Sequence, residues 1–161
     1  MSLEIHRATM RDLTKVVGYY GPIGDSPLDP FSSVERLRKL DLKHLLVAEQ
    51  HGTFAGFLYY FIHRRPWFDP NVDRYASIVE LHVLPDHRGR GIGTRLLLEA
   101  FRKIKKEGVK VVYVDTGEDN TTALHVYRKA GFRKYRKTVK LKLILSSRSR
   151  PKTPLSRDPP S

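Results

Sequence analysis

The 161-residue chain reads as a single α/β domain. Three observations carry that reading. Val79 to Leu84 is apolar and β-branched enough to form a strand, which Pro85 ends. Gly89, Gly91 and Gly93 then fall within five positions. Beyond them Ile92, Leu96, Leu97, Ala100, Phe101 and Ile104 recur at helical spacing. Strand, glycine turn and helix start together make an anion site. The glycines let backbone N–H groups approach a ligand, and the helix end offers free donors and a positive dipole. Pyrophosphate is the natural guest.

The remaining elements follow in order. Leu3 to Arg7 alternates as a short strand, and Thr9-Met-Arg-Asp12 is a capping box opening a helix through Val16, Val17 and Tyr20. Residues 21–30, rich in Pro and Gly, read as a loop. Ser32-Ser33-Val-Glu35 caps a second helix to about Leu40. Leu45–Gln50 and Phe54–His63 form a hairpin about His51-Gly52. The loop 64–73 holds the only Trp, Trp67, which packing onto the core explains better than an acceptor pocket does. The long helix ends near Gly108, Val109–Val114 is a buried strand, and Thr121–Ala130 is the last helix. Two strand-like pieces come after Phe132, of which Thr138–Leu145 places Val139, Leu141 and Leu143 on one face and Lys140 and Lys142 on the other. Residues 1–145 are thus the folded domain, and 146–161 a disordered, basic, Ser/Pro-rich tail.

Composition narrows the function. No apolar run reaches the length that crosses a bilayer, and the N-terminus lacks the form of a signal peptide, so the expected location is cytoplasmic, away from membranes. Cysteine is absent, which removes disulfides, thiolate metal sites and a covalent Cys intermediate; no metal site is expected. The net charge of +13 is uneven: residues 1–86 carry ten Lys and Arg against eleven Asp and Glu, residues 87–161 twenty against six. A polyanionic ligand on the second half, a solvated surface, or a nucleic-acid footprint would each explain this. No recognised nucleic-acid motif is present, so docking on nucleic acid is the alternative reading.

The glycine turn lacks the Lys of a Walker loop, and the spacing Gly-x-Gly-x-x-Gly fails because Thr94 or Leu96 occupies the third position. What fits is Arg-x-x-Gly-x-Gly, read around Arg88-Gly89-Arg90-Gly91-Ile92-Gly93 after Val83-Leu84-Pro85. This resembles the acyl-CoA loop of the GNAT superfamily of N-acyltransferases. Asn120-Thr-Thr-Ala123-Leu-His-Val-Tyr127-Arg-Lys-Ala-Gly131-Phe132 is similar to that family's later motif, Asn-x-x-Ala-x-x-x-Tyr-x-x-x-Gly-Phe.

The resemblance implies a GNAT-type fold: a mixed, twisted seven-stranded sheet flanked by helices on both faces, with the donor wedged where the central strand splays from its neighbour. It implies acetyl-CoA as acyl donor and a primary amine as acceptor. Arg88, Gly89, Arg90, Gly91, Ile92, Gly93 and Thr94 would hold the phosphates, Asn120 would cap its helix and touch the pantetheine arm, and His82 and Val83 would line the donor site. Val83 would lie near the oxyanion, and Tyr127 would serve as general acid. Glu80, the only carboxylate within the central strand, is the candidate general base, with His82 on the same face as an alternative base or relay. An exposed edge strand would allow a homodimer.

Overall fold

The computed structural model describes residues 2–24, 26 and 28–145. Among the described residues the helices and strands follow the expected order as far as α4: β1 (Leu3–Arg7), α1 (Met10–Tyr20), α2 (Val34–Leu37), β2 (Leu45–Gln50), β3 (Thr53–Arg64), β4 (Arg74–Val83), α3 (Ile92–Lys106), β5 (Val112–Tyr113) and α4 (Thr121–Lys129). The strands lie in sequence order in one sheet; β1 to β4 pair antiparallel and β4 with β5 parallel.

Local chemistry explains most boundaries. At the start of α1, Asp12 Oδ2 accepts from the Thr9 amide at 2.7 Å and the Thr9 hydroxyl at 2.8 Å, which satisfies the helix entry. The Ser33 hydroxyl accepts from the Arg36 amide at 3.2 Å to start α2. The β2–β3 turn puts His51 and Gly52 both at positive φ (53° and 72°), the twist a two-residue hairpin needs.

Alternation along β2 and β3 divides the core in two. Leu46, Ala48, Leu58 and Tyr60 face Leu96, Leu97, Ala100 and Ile104 of α3. Leu45, Val47, Phe57 and Tyr59 face Leu13, Val16 and Tyr20 of α1 with Phe31 and Leu37. Helices therefore cover both faces, as the pattern requires of strands buried on both sides. Each of these buried Leu, Val and Ile side chains contributes about 1.5–3 kcal/mol. Among the described residues no helix is long and apolar enough to cross a membrane.

Three expectations are corrected. The sheet has five strands among the described residues, not seven, because residues 133–145 join no ladder. Val139, Leu141 and Leu143 are 80–91 % exposed. Alternation alone does not make a strand without a partner to bond, and the two pieces are crowded with Lys and Arg that would face one another across a hairpin. β5 is also shorter than Val109–Val114: the Val109 amide bonds back to the Ile104 carbonyl at 3.3 Å and its side chain enters the α3 core, leaving Val112 and Tyr113 to pair. The tail expected over residues 146–161 lies outside the described residues.

Trp67 is neither core nor pocket. It is 86 % exposed, with the Arg136 guanidinium 5.3 Å from its ring. The aromatic residue its loop does pack is Phe68, against Tyr75 and Tyr113, beside Asp69, which accepts from the Tyr113 hydroxyl at 3.0 Å.

Burial and neighbouring carboxylates hold several tyrosines protonated. Tyr60 donates to Glu107 Oε1 at 3.2 Å, and burial with that carboxylate's charge raises its pKa well above 10. Tyr113 is pushed up to about 12, first by burial and then by Asp69. A pKa raised by folding contributes stability that is fully present below the unfolded value and lost as pH rises through the folded one. The denaturation midpoint is therefore expected to fall as pH climbs above about 10, with tyrosinate absorbance of the folded protein lagging that of the denatured chain. Coincident titration curves would contradict this.

Candidate active site

The site is built on β4. β3 and β4 pair with one irregularity: Tyr59 lies opposite Glu80 but Tyr60 opposite Ile78, so Val79 is an extra residue on β4. Such a bulge reverses the alternation. Ala76 and Ile78 face α3 together with Leu81 and Val83, while Glu80 and His82 face α1. Val79 itself is 47 % exposed, not aligned in a continuous row with Leu81 and Val83.

On the α1 face Glu80 is held at both oxygens. The Tyr20 hydroxyl lies 3.2 Å from Oε1, and His82 Nε2 2.7 Å from Oε2. Tyr20 also lies 3.0 Å from Asp29 Oδ2, so one hydroxyl links two carboxylates. Burial, then the charge of Glu80, raises the Tyr20 pKa well above its ordinary value. The His82 ring stacks on Phe57 at 5.1 Å and meets Tyr20 edge-on at 5.3 Å. His82 is thus a partner of Glu80 on the α1 side, away from the glycine turn.

β4 and β5 pair only at Ala76–Val112 and Ser77–Tyr113, after which they part. The Leu84 amide donates to the Ala55 carbonyl of β3 at 2.8 Å. By strand alternation the Val83 amide then points to the opposite, open edge. β3 comes unusually close here: a Cβ at Gly56 would collide with the His82 carbonyl, so only glycine fits.

Beyond β4, a short turn over Pro85–His87 leads to the glycines. Gly89 and Gly91 take φ of 73° and 77°, and Gly91 caps α3 without a side-chain bond. The Arg95 amide bonds the Gly91 carbonyl at 3.0 Å, which leaves the Ile92, Gly93 and Thr94 amides free of intrahelical partners. Gly93 lies against β4 and α4: a Cβ there would sit in ordinary contact with Val126 at 3.4 Å and Val83 at 3.6 Å. Three open donors and the helix dipole converge beside the parted strands.

The two arginines are engaged elsewhere. Arg88 Nε donates to the Val83 carbonyl at 2.9 Å, and its Nη2 lies 3.3 Å from the Tyr19 hydroxyl. Arg90 Nη1 donates to Gln50 Oε1 at 3.1 Å, and the same oxygen pairs with His87 Nδ1 at 2.9 Å. Gln50 is 5 % exposed and anchors the turn to the end of β2. Sequence reasoning missed it, although a lone Gln closing an apolar strand was a signal. It missed Tyr19 and Tyr20, whose contacts with Arg88 and Glu80 cross sixty or more residues, and Asp29, which meets the site through the Tyr20 hydroxyl.

Asn120 Oδ1 accepts from the Ala123 amide at 3.2 Å, the cap of α4. Tyr127, half-buried on α4, packs edge-on against Phe132 at 5.5 Å. Burial raises its pKa above 10, and the charge of Glu80 adds to this, so its hydroxyl keeps its proton at neutral pH. Glu80, His82 and Val83 thus lie on the stretch of β4 beyond its last pairing with β5; Val83 packs beside Gly93 at the start of α3, and the charge of Glu80 reaches Tyr127.

This arrangement has a family. The model of the Acetyltransferase (GNAT) family matches residues 10–132, and the chain belongs to that family. Among the solved structures it resembles in fold is a predicted acetyltransferase of Clostridium acetobutylicum with acetyl-CoA, at TM-score 0.67 and 18 % identity over 88 % of this chain and 96 % of that one. An uncharacterized N-acetyltransferase of Methanocaldococcus jannaschii is 36 % identical over 98 residues, 60 % of this chain and 42 % of that protein. A mycothiol acetyltransferase of Cellulomonas flavigena is 32 % identical over 90 residues, 54 % of this chain and 26 % of that one. The chain spans less than half the length of either relative. In fold it is similar to AAC(6')-Iy, solved with the bisubstrate analog CoA-S-monomethyl-acetylneamine: TM-score 0.75, 20 % identity, 90 % of this chain and 100 % of that one.

Replacing Tyr20 by Phe removes the one hydroxyl proton that Glu80 and Asp29 share. With an acceptor amine in hand, kcat is expected to fall about tenfold, the scale of one hydrogen bond to a charged group, while KM for the acyl donor holds. Steady-state kinetics of Tyr20→Phe checks this; a change confined to KM would contradict it.

Proposed function

We propose that the protein is an N-acetyltransferase that moves the acetyl group of acetyl-CoA directly to a primary amine, with Glu80 as general base and Tyr127 as general acid. The observation that carries this is the parting of β4 from β5 after Ser77 beside the free amides of α3. That geometry suits a ligand with a diphosphate at one end and an extended amide arm at the other.

Family membership supports the donor. The Ile92, Gly93 and Thr94 amides receive the diphosphate, with Gly89 and Gly91 shaping the turn and Gln50 bracing Arg90 and His87 behind it. Arg88 and Arg90 supply positive potential at close range. The pantetheine arm lies along the open edge of β4, where the Val83 amide donates to the thioester oxygen. The names of relatives support an amine acceptor: mycothiol and aminoglycoside acetyltransferases are among the proteins this chain is similar to.

An alkylamine with a pKa near 10.4 must lose a proton before it attacks, at a cost of about 4–5 kcal/mol at neutral pH. Glu80, a carboxylate steadied by Tyr20 and His82, accepts that proton directly or through a water. The amine nitrogen bonds the thioester carbon, negative charge develops on the carbonyl oxygen beside the Val83 amide, and the carbon–sulfur bond breaks as the tetrahedral intermediate collapses. Tyr127, protonated well past neutral pH, returns a proton to the leaving thiolate. With no cysteine in the chain, transfer needs no Cys acyl-enzyme.

Glu80→Gln should lower kcat by about 100-fold or more, and Tyr127→Phe by about tenfold or more, with acetyl-CoA affinity changed less than threefold in each. Free-thiol release measured with a saturating amine, alongside donor binding, checks both. Unchanged turnover in the two variants would remove these roles.

A further inference from the structure

An apolar groove opens beside Glu80 on the α1 face, and it bears on which amine the site takes. Its volume is about 270 Å³, and its exposed walls are almost entirely carbon. Phe61 and Val79, 44 % and 47 % exposed, form its open walls over the buried Phe31 and Tyr59, Val79 because the bulge turns it out of the ladder. His63 closes one side. Its Nε2 bonds Ser77 Oγ at 2.7 Å, and burial holds its pKa below the ordinary 6.5, so it presents a neutral ring at pH 7. That ring lies 4.8 Å from Phe61 and stacks on Tyr75 at 4.6 Å, which extends the aromatic wall outward.

Among its lining residues, the ionised side chains sit together. Of the groove's lining residues only Asp29 and Glu80 are acidic, and both bond the same Tyr20 hydroxyl. The groove thus offers one place for an ammonium or amine and an uncharged aromatic slot beyond it. A polycation would have to bury further charges against carbon without partners, which is costly. The volume lies below that of sites for drug-sized ligands, enough for one ring on a short tether.

We infer that the acceptor is an arylalkylamine, a primary monoamine carried on one aromatic ring, with the nitrogen at Glu80 and the ring between Phe61, Val79 and Tyr59. Edge-on and stacked contacts with these rings favour an aryl group over a plain chain. This rests on the donor and base assignments proposed above.

The test is an acetylation panel with acetyl-CoA saturating: 2-phenylethylamine, ethylamine, spermidine and kanamycin, followed by thiol release, with acetyl-CoA binding measured separately by calorimetry. Expected is a kcat/KM for 2-phenylethylamine about 100-fold above that for ethylamine, from burial of the ring, and above those of both polycations. In Phe61→Asp, and independently in Val79→Asp, the ratio of 2-phenylethylamine to ethylamine should drop at least tenfold, with thermal melts confirming that each variant is folded. Preference for spermidine or kanamycin, no acetylation of any amine by a protein that binds acetyl-CoA, or a ratio that neither variant moves would overturn the inference. Failure to bind acetyl-CoA would instead strike the proposed function, and this inference with it.

Discussion

One extra residue in the central strand sets the geometry of the site. Without the bulge at Val79, strict alternation would place Glu80 and His82 on the same face as Ala76 and Ile78, buried against Leu96, Leu97 and Ala100. A carboxylate there would be desolvated with no partner. The bulge keeps Ala76 and Ile78 under α3 and turns Glu80 toward Tyr20, Asp29 and His82. It also exposes Val79 to the groove beside the carboxylate. A single backbone insertion thus separates a core-forming half of β4 from a site-forming half.

The second constraint is where pairing stops. β5 holds β4 for two residues and then leaves it, so the strand end that carries Val83 has an open edge next to the start of α3. Gly56 allows β3 to support that end closely from the other side, and Gln50 braces the glycine turn through Arg90 and His87. The site accordingly has two electrostatic parts, amides and a helix dipole suited to a polyanion on one side of β4, and paired carboxylates suited to an amine on the other. Both parts hang on β4: Glu80 projects from its α1 face, and Val83 packs beside Gly93 at the start of α3.

Much of this was legible because it is local. The stripe from Ile92 to Ile104, the Thr9–Asp12 box, the turn at His51-Gly52 and the Asn120 cap each depend on residues within a few positions of one another, and all appear in the structure. The glycine turn was readable for the same reason, since Gly89 and Gly91 declare their backbone. What escaped is non-local. The bulge emerges only when β3 sets its register against β4. Tyr20 reaches Glu80 across sixty positions. Val139, Leu141 and Leu143 show the converse: a strand-like pattern without a strand to pair with.

The most direct test of this account is calorimetric titration of the protein with acetyl-CoA, repeated with Gly91→Glu. At φ 77° a side chain strains the turn, and a carboxylate there sets a negative charge beside the free amides of α3. Micromolar binding by the native protein, lost by at least tenfold in the folded variant, is the expected result. Absence of binding by the native protein, or equal binding by both, would contradict the claim that the parted strands and the α3 start hold the acyl donor.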